Sequence, residues 1–230
     1  MPPRPRVSIH ASAANRLLDL AFPGRCAGCD REGSSLCDAC VGALDARLHE
    51  RPGTPIGLRA GIPHPILQLE WCAPFKGTVR RALHQLKYDG ERRLAEPLGR
   101  AVARRWERAG QGGDVIVAVP VHEARRRQRG YDQAALIAGV VGRTLGLAVV
   151  DALARDRATA PQFDLDRPSR AGNVSGAFSV RSRATRTVRD RWIVLVDDVM
   201  TTGATLAACA SALLDSGAAT ISAVTVARED

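Results

Sequence analysis

The chain has 230 residues, 45% hydrophobic and 25% charged, enough to bury one ordinary globular core with a small appendage and too little for two full domains. Its 21 glycines and 13 prolines are close to ordinary usage and exclude collagen-like and low-complexity classes, and no apolar run approaches the roughly 20 residues of a membrane helix. The net charge of +9 favours phosphate-bearing partners, whether nucleic acid, nucleotide or phosphorylated sugar.

Residues 1–14 carry three prolines and no periodicity, and are expected to form a flexible terminus. Met1 to Pro23 has early arginines but only a short apolar stretch broken by Asp19, without a cleavage site, so it does not read as a secretory signal and a cytoplasmic protein is expected. Leu17, Leu18, Ala21 and Phe22 predict a short helix that Pro23-Gly24 stops. A second short helix is expected over Val41–Leu48, and the Pro- and Gly-rich stretch 51–66 reads as a linker. Beyond it, Val79, Leu83 and Leu86 give one helical stripe, and Leu94, Leu98, Val102 and Trp106 another. Val115–Val119 reads as a buried strand, 134–145 as a helix, 147–150 as a strand and 155–170 as a long functional loop. Trp192–Val196 reads as a strand bounded by Asp197-Asp198, followed by a helix at 204–214 and a last strand at 220–227. This order predicts an α/β fold, a mainly parallel sheet flanked by helices over 67–230, preceded by a small cysteine module at 15–50.

Four of the six cysteines, Cys26, Cys29, Cys37 and Cys40, form C-x2-C-x7-C-x2-C. Each C-x2-C pair turns two thiolates toward one point, and two such knuckles supply the four sulfurs that tetrahedral zinc prefers. Paired disulfides are the competing reading, ranked second because no secretory signal is recognised. Cys72 and Cys209 sit in apolar contexts and read as small buried hydrophobes.

The most specific segment is I-V-L-V-D-D-V-M-T-T-G-A-T at 193–205, two carboxylates at a strand end and then a turn opening a helix. Thr201, Thr202 and Thr205 bring hydroxyls, Gly203 permits close backbone approach, and the helix starting near Ala204 presents unpaired N–H groups, together an anion site for one phosphate. Asp197 and Asp198 would repel that phosphate and suit ribose hydroxyls or Mg²⁺ instead.

At these residues the sequence resembles the type I phosphoribosyltransferases, whose signature is an apolar strand, an acidic pair and a Thr-rich turn that binds phosphoribosyl pyrophosphate. The cysteine cluster, L-K-Y-D-G at 86–90, V-P-V-H at 119–122, R-R-R-Q-R-G-Y-D-Q-A at 125–134 and N-V-S-G-A-F at 173–178 narrow this to a resemblance to the ComF family of competence-associated proteins, from Cys26 onward. The resemblance implies a zinc finger joined to a type I phosphoribosyltransferase domain, acting with Mg²⁺ and phosphoribosyl pyrophosphate, with a role in handling single-stranded DNA alongside the uptake machinery. It puts pyrophosphate in the loop after the strand at 115–119, with Val121 and His122 in the turn and Arg125 to Arg129 contributing charge. Lys87 is a further candidate, one of two lysines against 31 arginines. Arg157, Thr159 and Gln162 fall where the movable catalytic flap of such folds is expected, with Arg170 and Asn173 anchoring it. One departure stands out: purine-salvage relatives carry an acidic residue in the phosphate turn where this chain has Thr201, leaving no evident general base for a purine.

Three readings compete. An active transferase would turn over phosphoribosyl pyrophosphate; a nucleic-acid-binding accessory protein would bind single strands in a salt-sensitive way, although aromatics are only 4% of the chain; a zinc-dependent interaction module would carry a dead catalytic domain, against which the intact acidic pair and Thr-rich turn count.

Overall fold

The computed structural model describes residues 24–53, 61–155 and 176–229. The expected flexible terminus, the helix at 17–22, and Arg157, Thr159, Gln162, Arg170 and Asn173 lie outside the described residues.

Two long strands form the centre because their sequences can be buried on both faces. They are β6 (Trp192–Met200) and β7 (Thr220–Arg228), runs dominated by Val, Ile and Ala that pair in parallel over their whole length. On one side β7 pairs with β1 (Gln68–Pro74), and on the other β6 pairs with β2 (Val115–Ala118), which carries the two-residue edge strand β3 (Ala148–Val149). The five-stranded parallel sheet has the order β1-β7-β6-β2-β3. A two-stranded antiparallel hairpin, β4 (Leu153–Arg155) with β5 (Phe178–Val180), lies outside it. The expected parallel sheet flanked by helices is therefore present.

Strand alternation divides the core into two layers. Val194, Val196, Val224 and Val226 meet one set of helices: α2 (Gly77–Tyr88), α3 (Ala95–Ala109) and α5 (Gln133–Leu145). Ile193, Leu195, Ile221 and Ala223 meet the hairpin and α7 (Ala204–Asp215), with Val188 of the short helix α6 (Thr185–Val188). The cysteine segment shares the first core, since Cys26, Ala27, Leu36 and Leu44 are buried in it. Cys72 and Cys209 are buried, as expected of small hydrophobes.

Several boundaries differ from the sequence reading. The helix expected over 41–48 is instead α1 (Asp38–Val41) followed by a 3-10 turn over Gly42–Asp45. The arginine run expected in a loop is helix α4 (Glu123–Arg129), N-capped by His122, whose Nδ1 accepts from the Ala124 amide, and ended by Gly130 at φ 76°. β6 runs four residues past Val196, so the acidic pair lies inside a paired strand, Asp197 opposite Thr225.

Strand β1 was missed because its inward positions include Gln68 and Glu70, polar residues that read as solvated. Both are buried: Glu70 forms an ion pair with the equally buried Arg105 of α3 (2.5 Å) and accepts from the Gln68 amide nitrogen and the Gly53 amide. Arg105 also donates to the carbonyls of Arg47 and Glu50, tying the end of the cysteine segment to sheet and helix.

Candidate phosphoribosyl and cysteine sites

The connection leaving β2 runs outward to β3, while the one leaving β6 runs the opposite way to β7. Open α/β sheets bind ligands in the crevice beyond the strand C-termini where this reversal occurs, here between β2 and β6. The loop after β2 and the Asp197–Thr205 segment face each other across it, joined at the root by the Val119 amide donating to the Val196 carbonyl.

The Thr201–Thr205 segment forms a tight turn from β6 into α7. Gly203 has φ 78°, and a Cβ there would lie 2.5 Å from Pro63 Cγ, so both backbone angle and contact require glycine. Thr202 Oγ1 accepts from the Ala204 amide, and α7 begins at Ala204 with no acidic residue in its first turn. The positive end of the helix is thus left for an anion, with Thr201 and Thr205 half-buried beside it.

Successive residues of a strand point to opposite faces, so the acidic pair is split rather than aimed at one point. Asp198, buried, lies on the α2 side, where Lys87 Nζ sits 3.0 Å from its Oδ2 and the Val199 amide donates to its Oδ1. Asp197 lies on the α7 side; its Oδ1 accepts from the Asp198 amide. Burial and the neighbouring Asp198 charge push the Asp197 carboxyl well above the usual carboxylate range. For Lys87, burial works to lower its value, but the carboxylates of Asp198 and Asp197 outweigh it and hold the ammonium above its ordinary pKa. Lys87 is thus committed to Asp198, while Asp197 is the less committed carboxylate.

From Lys87 the site continues into a cleft of about 390 Å³ lined by Tyr88, Gly90, Arg125, Gln128, Arg129 and Tyr131. Lys87, Arg125 and Arg129, three separate candidates in sequence, meet there. Arg129 lies over the Tyr88 ring at 4.9 Å and donates to Gln133 Oε1 at 3.0 Å. His122 caps α4 and Val121 sits in the expected turn, but the Val121 amide is already used: it donates to Asp132 Oδ2. Asp132 was missed by sequence reasoning, although its place as N-cap of α5, accepting from Ala135 at Oδ1, is a readable helix-start signal. Burial raises its carboxyl above the ordinary value, against the lowering effect of its backbone donors. Arg155 was missed too; it lies over Phe178 at the end of β4, and burial and the Arg125 charge lower its pKa.

The cysteine cluster is assembled as the spacing predicted. The four sulfurs lie within 4.8 Å of one another, with Cys26–Cys37 and Cys29–Cys37 at 3.6 Å and none of the four in a disulfide. Four thiolates at about 2.3 Å from a tetrahedral zinc would stand about 3.8 Å apart. Burial raises the Cys26 thiol, but backbone N–H groups of Cys37, Cys29 and Gly28 reverse this and bring it to about 6; burial and the neighbouring sulfurs push Cys40 to about 12. Gly28 is required here, because a Cβ would fall 2.4 Å from Cys40 Sγ.

Sheet order, crevice and turn define a phosphoribosyltransferase-type domain, and the family described as phosphoribosyl transferase domain matches residues 135–230. The DNA utilization protein YhgH of Escherichia coli (strain K12) is 33% identical over 215 residues, covering 89% of this chain and 90% of the relative. The Competence protein F of Haemophilus influenzae is 28% identical over 194 residues, covering 82% and 83%. This chain belongs to the ComF family. Among solved structures, the glutamine phosphoribosylpyrophosphate amidotransferase of B. subtilis overlays 57% of this chain at TM-score 0.40 and 20% identity, and the chain spans 26% of that protein's length. No described helix is long and apolar enough to cross a membrane.

Proposed function

We propose that this protein binds phosphoribosyl pyrophosphate with Mg²⁺ in the β2–β6 crevice and transfers the phosphoribosyl group to a nucleophilic acceptor, in the cytoplasm, as part of handling incoming DNA. The observation that carries the reading is that the strand end bearing Asp197 and Asp198 runs straight into the Thr201–Thr205 turn and the start of α7, while the Lys87–Asp198 pair joins that strand end to the cationic cleft lined by Arg125 and Arg129. The names of the relatives, a DNA utilization protein and a competence protein, support the link to DNA.

In this reading the α7 turn seats the 5′-phosphate, with the hydroxyls of Thr201, Thr202 and Thr205 and the first amides of the helix as donors. Asp197 orients the ribose through its hydroxyls. The C1–oxygen bond breaks with positive charge developing on the sugar, and Arg125 and Arg129 stabilise the departing pyrophosphate. Lys87 holds Asp198 in place. The donor set fits Mg²⁺, which takes one or two carboxylates together with substrate phosphates and water, with Asp197 as the available carboxylate; when bound it would neutralise charge on the pyrophosphate. Zinc held by Cys26, Cys29, Cys37 and Cys40 is structural.

A second reading, an accessory protein that binds single-stranded DNA and uses the pocket only as a sensor, is favoured by the 63% exposure of Tyr88 beside Arg129 and the arginine face of α4. Titration of phosphoribosyl pyrophosphate and Mg²⁺ into the purified protein, with and without short single-stranded DNA and followed for pyrophosphate release, separates the two. Binding with release supports the transferase. Binding without release under any tested acceptor supports the sensor, and absence of binding removes the transferase and leaves the accessory reading with a vestigial pocket.

A further inference from the structure

Helix α2 connects the cysteine knuckle to the phosphoribosyl crevice. In its first half, Arg81 donates from Nε to the Ala27 carbonyl at 2.8 Å and from Nη2 to the Gly28 carbonyl at 2.5 Å. Those two carbonyls belong to the turn between Cys26 and Cys29, and Gly28 packs close to Thr78 of the same helix. Six residues on, about 9 Å along the axis, Lys87 places its ammonium on Asp198. Beside it the Leu86 carbonyl accepts from the Tyr131 hydroxyl, which lines the cationic cleft.

Among the described residues, Arg81 supplies the side-chain hydrogen bonds that anchor the first half of α2 to another segment. The N-cap of α2, Lys76, makes no side-chain capping bond, and the first turn has no acidic residue. The buried stripe of Val79, Ala82, Leu83 and Leu86 seats the helix on the core, but apolar packing resists sliding and rotation less selectively than directed bonds do. Among the described residues, the directed contacts of α2 to other elements run from Arg81 on the knuckle to Leu86, Lys87 and Tyr88, which meet Tyr131, Asp198 and Arg129.

We propose that Arg81 is a positioning residue that carries the order of the cysteine knuckle along α2 to Lys87, so that knuckle integrity sets the Lys87–Asp198 contact at the crevice. This rests on the crevice and zinc assignments above for its functional meaning, while the contact itself is measurable without ligand. Loss of the knuckle turn removes both acceptors of Arg81 at once; α2 then keeps its packing and loses its register, and Lys87 is released from Asp198.

The chain offers a direct readout, because Lys76 and Lys87 are its only lysines and stand at opposite ends of α2. Lys76 is exposed, whereas the Lys87 side chain is 20% exposed and held in its pair. Acetylation of the folded protein by a limiting amount of an N-hydroxysuccinimide ester, with each lysine's rate read by mass spectrometry, gives their ratio. In Arg81→Met the Lys87 rate should rise about tenfold relative to Lys76, the size expected for losing a charge-assisted contact. Arg81→Gln, which keeps one donor group, should fall between, and it decides the matter if Arg81→Met does not fold cooperatively. Zinc-stripped wild type should match Arg81→Met, and stripping that variant should add nothing. An unchanged Lys87 to Lys76 ratio in the Arg81 variants overturns the proposal, as do additive effects of stripping and substitution. In parallel, failure of the wild type to bind phosphoribosyl pyrophosphate removes the functional reading, while the lysine ratio still decides whether Arg81 acts through Lys87.

Discussion

The buried pair Glu70–Arg105 offers the sharpest test of how the cysteine segment is joined to the sheet. Glu70 is 0% and Arg105 1% exposed, and Glu70 Oε2 takes both Nε at 3.1 Å and Nη2 at 2.5 Å. Substituting Glu70→Gln preserves shape but leaves a guanidinium in the core without its counter-charge and turns an amide donor toward another donor. Breaking one side of a fully buried pair costs about 3–5 kcal/mol. For a chain of this size each kcal/mol moves Tm by about 2–4 °C, so a fall of roughly 6–20 °C is expected. Arg105→Met should cost more, because it also strips the Arg47 and Glu50 carbonyls of their donor. Urea unfolding followed by tryptophan fluorescence suits the measurement, since Trp71 on β1 and Trp106 on α3 flank the pair in sequence. With the cysteine segment and the sheet sharing one core, zinc release and loss of tryptophan signal should share one midpoint. A Glu70→Gln protein within about 1 kcal/mol of wild type would refute the reasoning.

Gly28→Ala, whose Cβ would meet Cys40 Sγ at 2.4 Å, should weaken zinc retention about fivefold or more on the scale of about 1–3 kcal/mol for overpacking, as read by competition with a chromogenic chelator. Gly203→Ala should cost about 1–2 kcal/mol for the left-handed backbone alone and abolish phosphoribosyl pyrophosphate binding in calorimetry; normal affinity would mean that the turn does not hold the phosphate. Asp132→Asn should weaken the α5 cap by about 1 kcal/mol or less and loosen the Val121 loop. Because burial raises the Asp132 carboxyl, the folded state binds its proton more tightly than the unfolded chain. Its contribution is therefore fully present below pH 3.8 and lost as pH rises through the elevated value, so wild type should lose stability relative to Asp132→Asn over that interval; the opposite slope in urea midpoints would contradict the burial argument.

How much of this was legible beforehand depended on whether a feature was local. The strand–turn–helix unit that forms the candidate phosphate site was readable because its parts are adjacent: strand, hydroxyls, glycine and helix start follow one another from 193 to 205. The cysteine cluster was readable because two C-x2-C knuckles fix their own geometry, and the structure gathers the sulfurs within 4.8 Å. The central strands and the helices α2, α3, α5 and α7 followed from unbroken apolar runs and 3.6-residue stripes. Strand β1 did not, because a Glu and a Gln in a strand look solvated until Arg105, 35 residues further on, is seen beside them.

Pairwise geometry between distant segments was decided only by the tertiary structure. Sequence named Lys87, Arg125, Arg129, Asp197 and Asp198, and folding assigned them partners: Lys87 to Asp198, Arg129 to Tyr88 and Gln133, and Arg125 to the shared cleft. It also separated two neighbours that the sequence treats as one unit, since the four-residue extension of β6 sends Asp197 and Asp198 to opposite faces of the sheet. Local chemistry is written in residue order, because a turn, a cap or a knuckle closes within a few residues and its entropy cost is small. Which carboxylate is neutralised, which amide is already taken and which helix links two sites depend on contacts across tens of residues, and those are set when the two core layers close on the sheet.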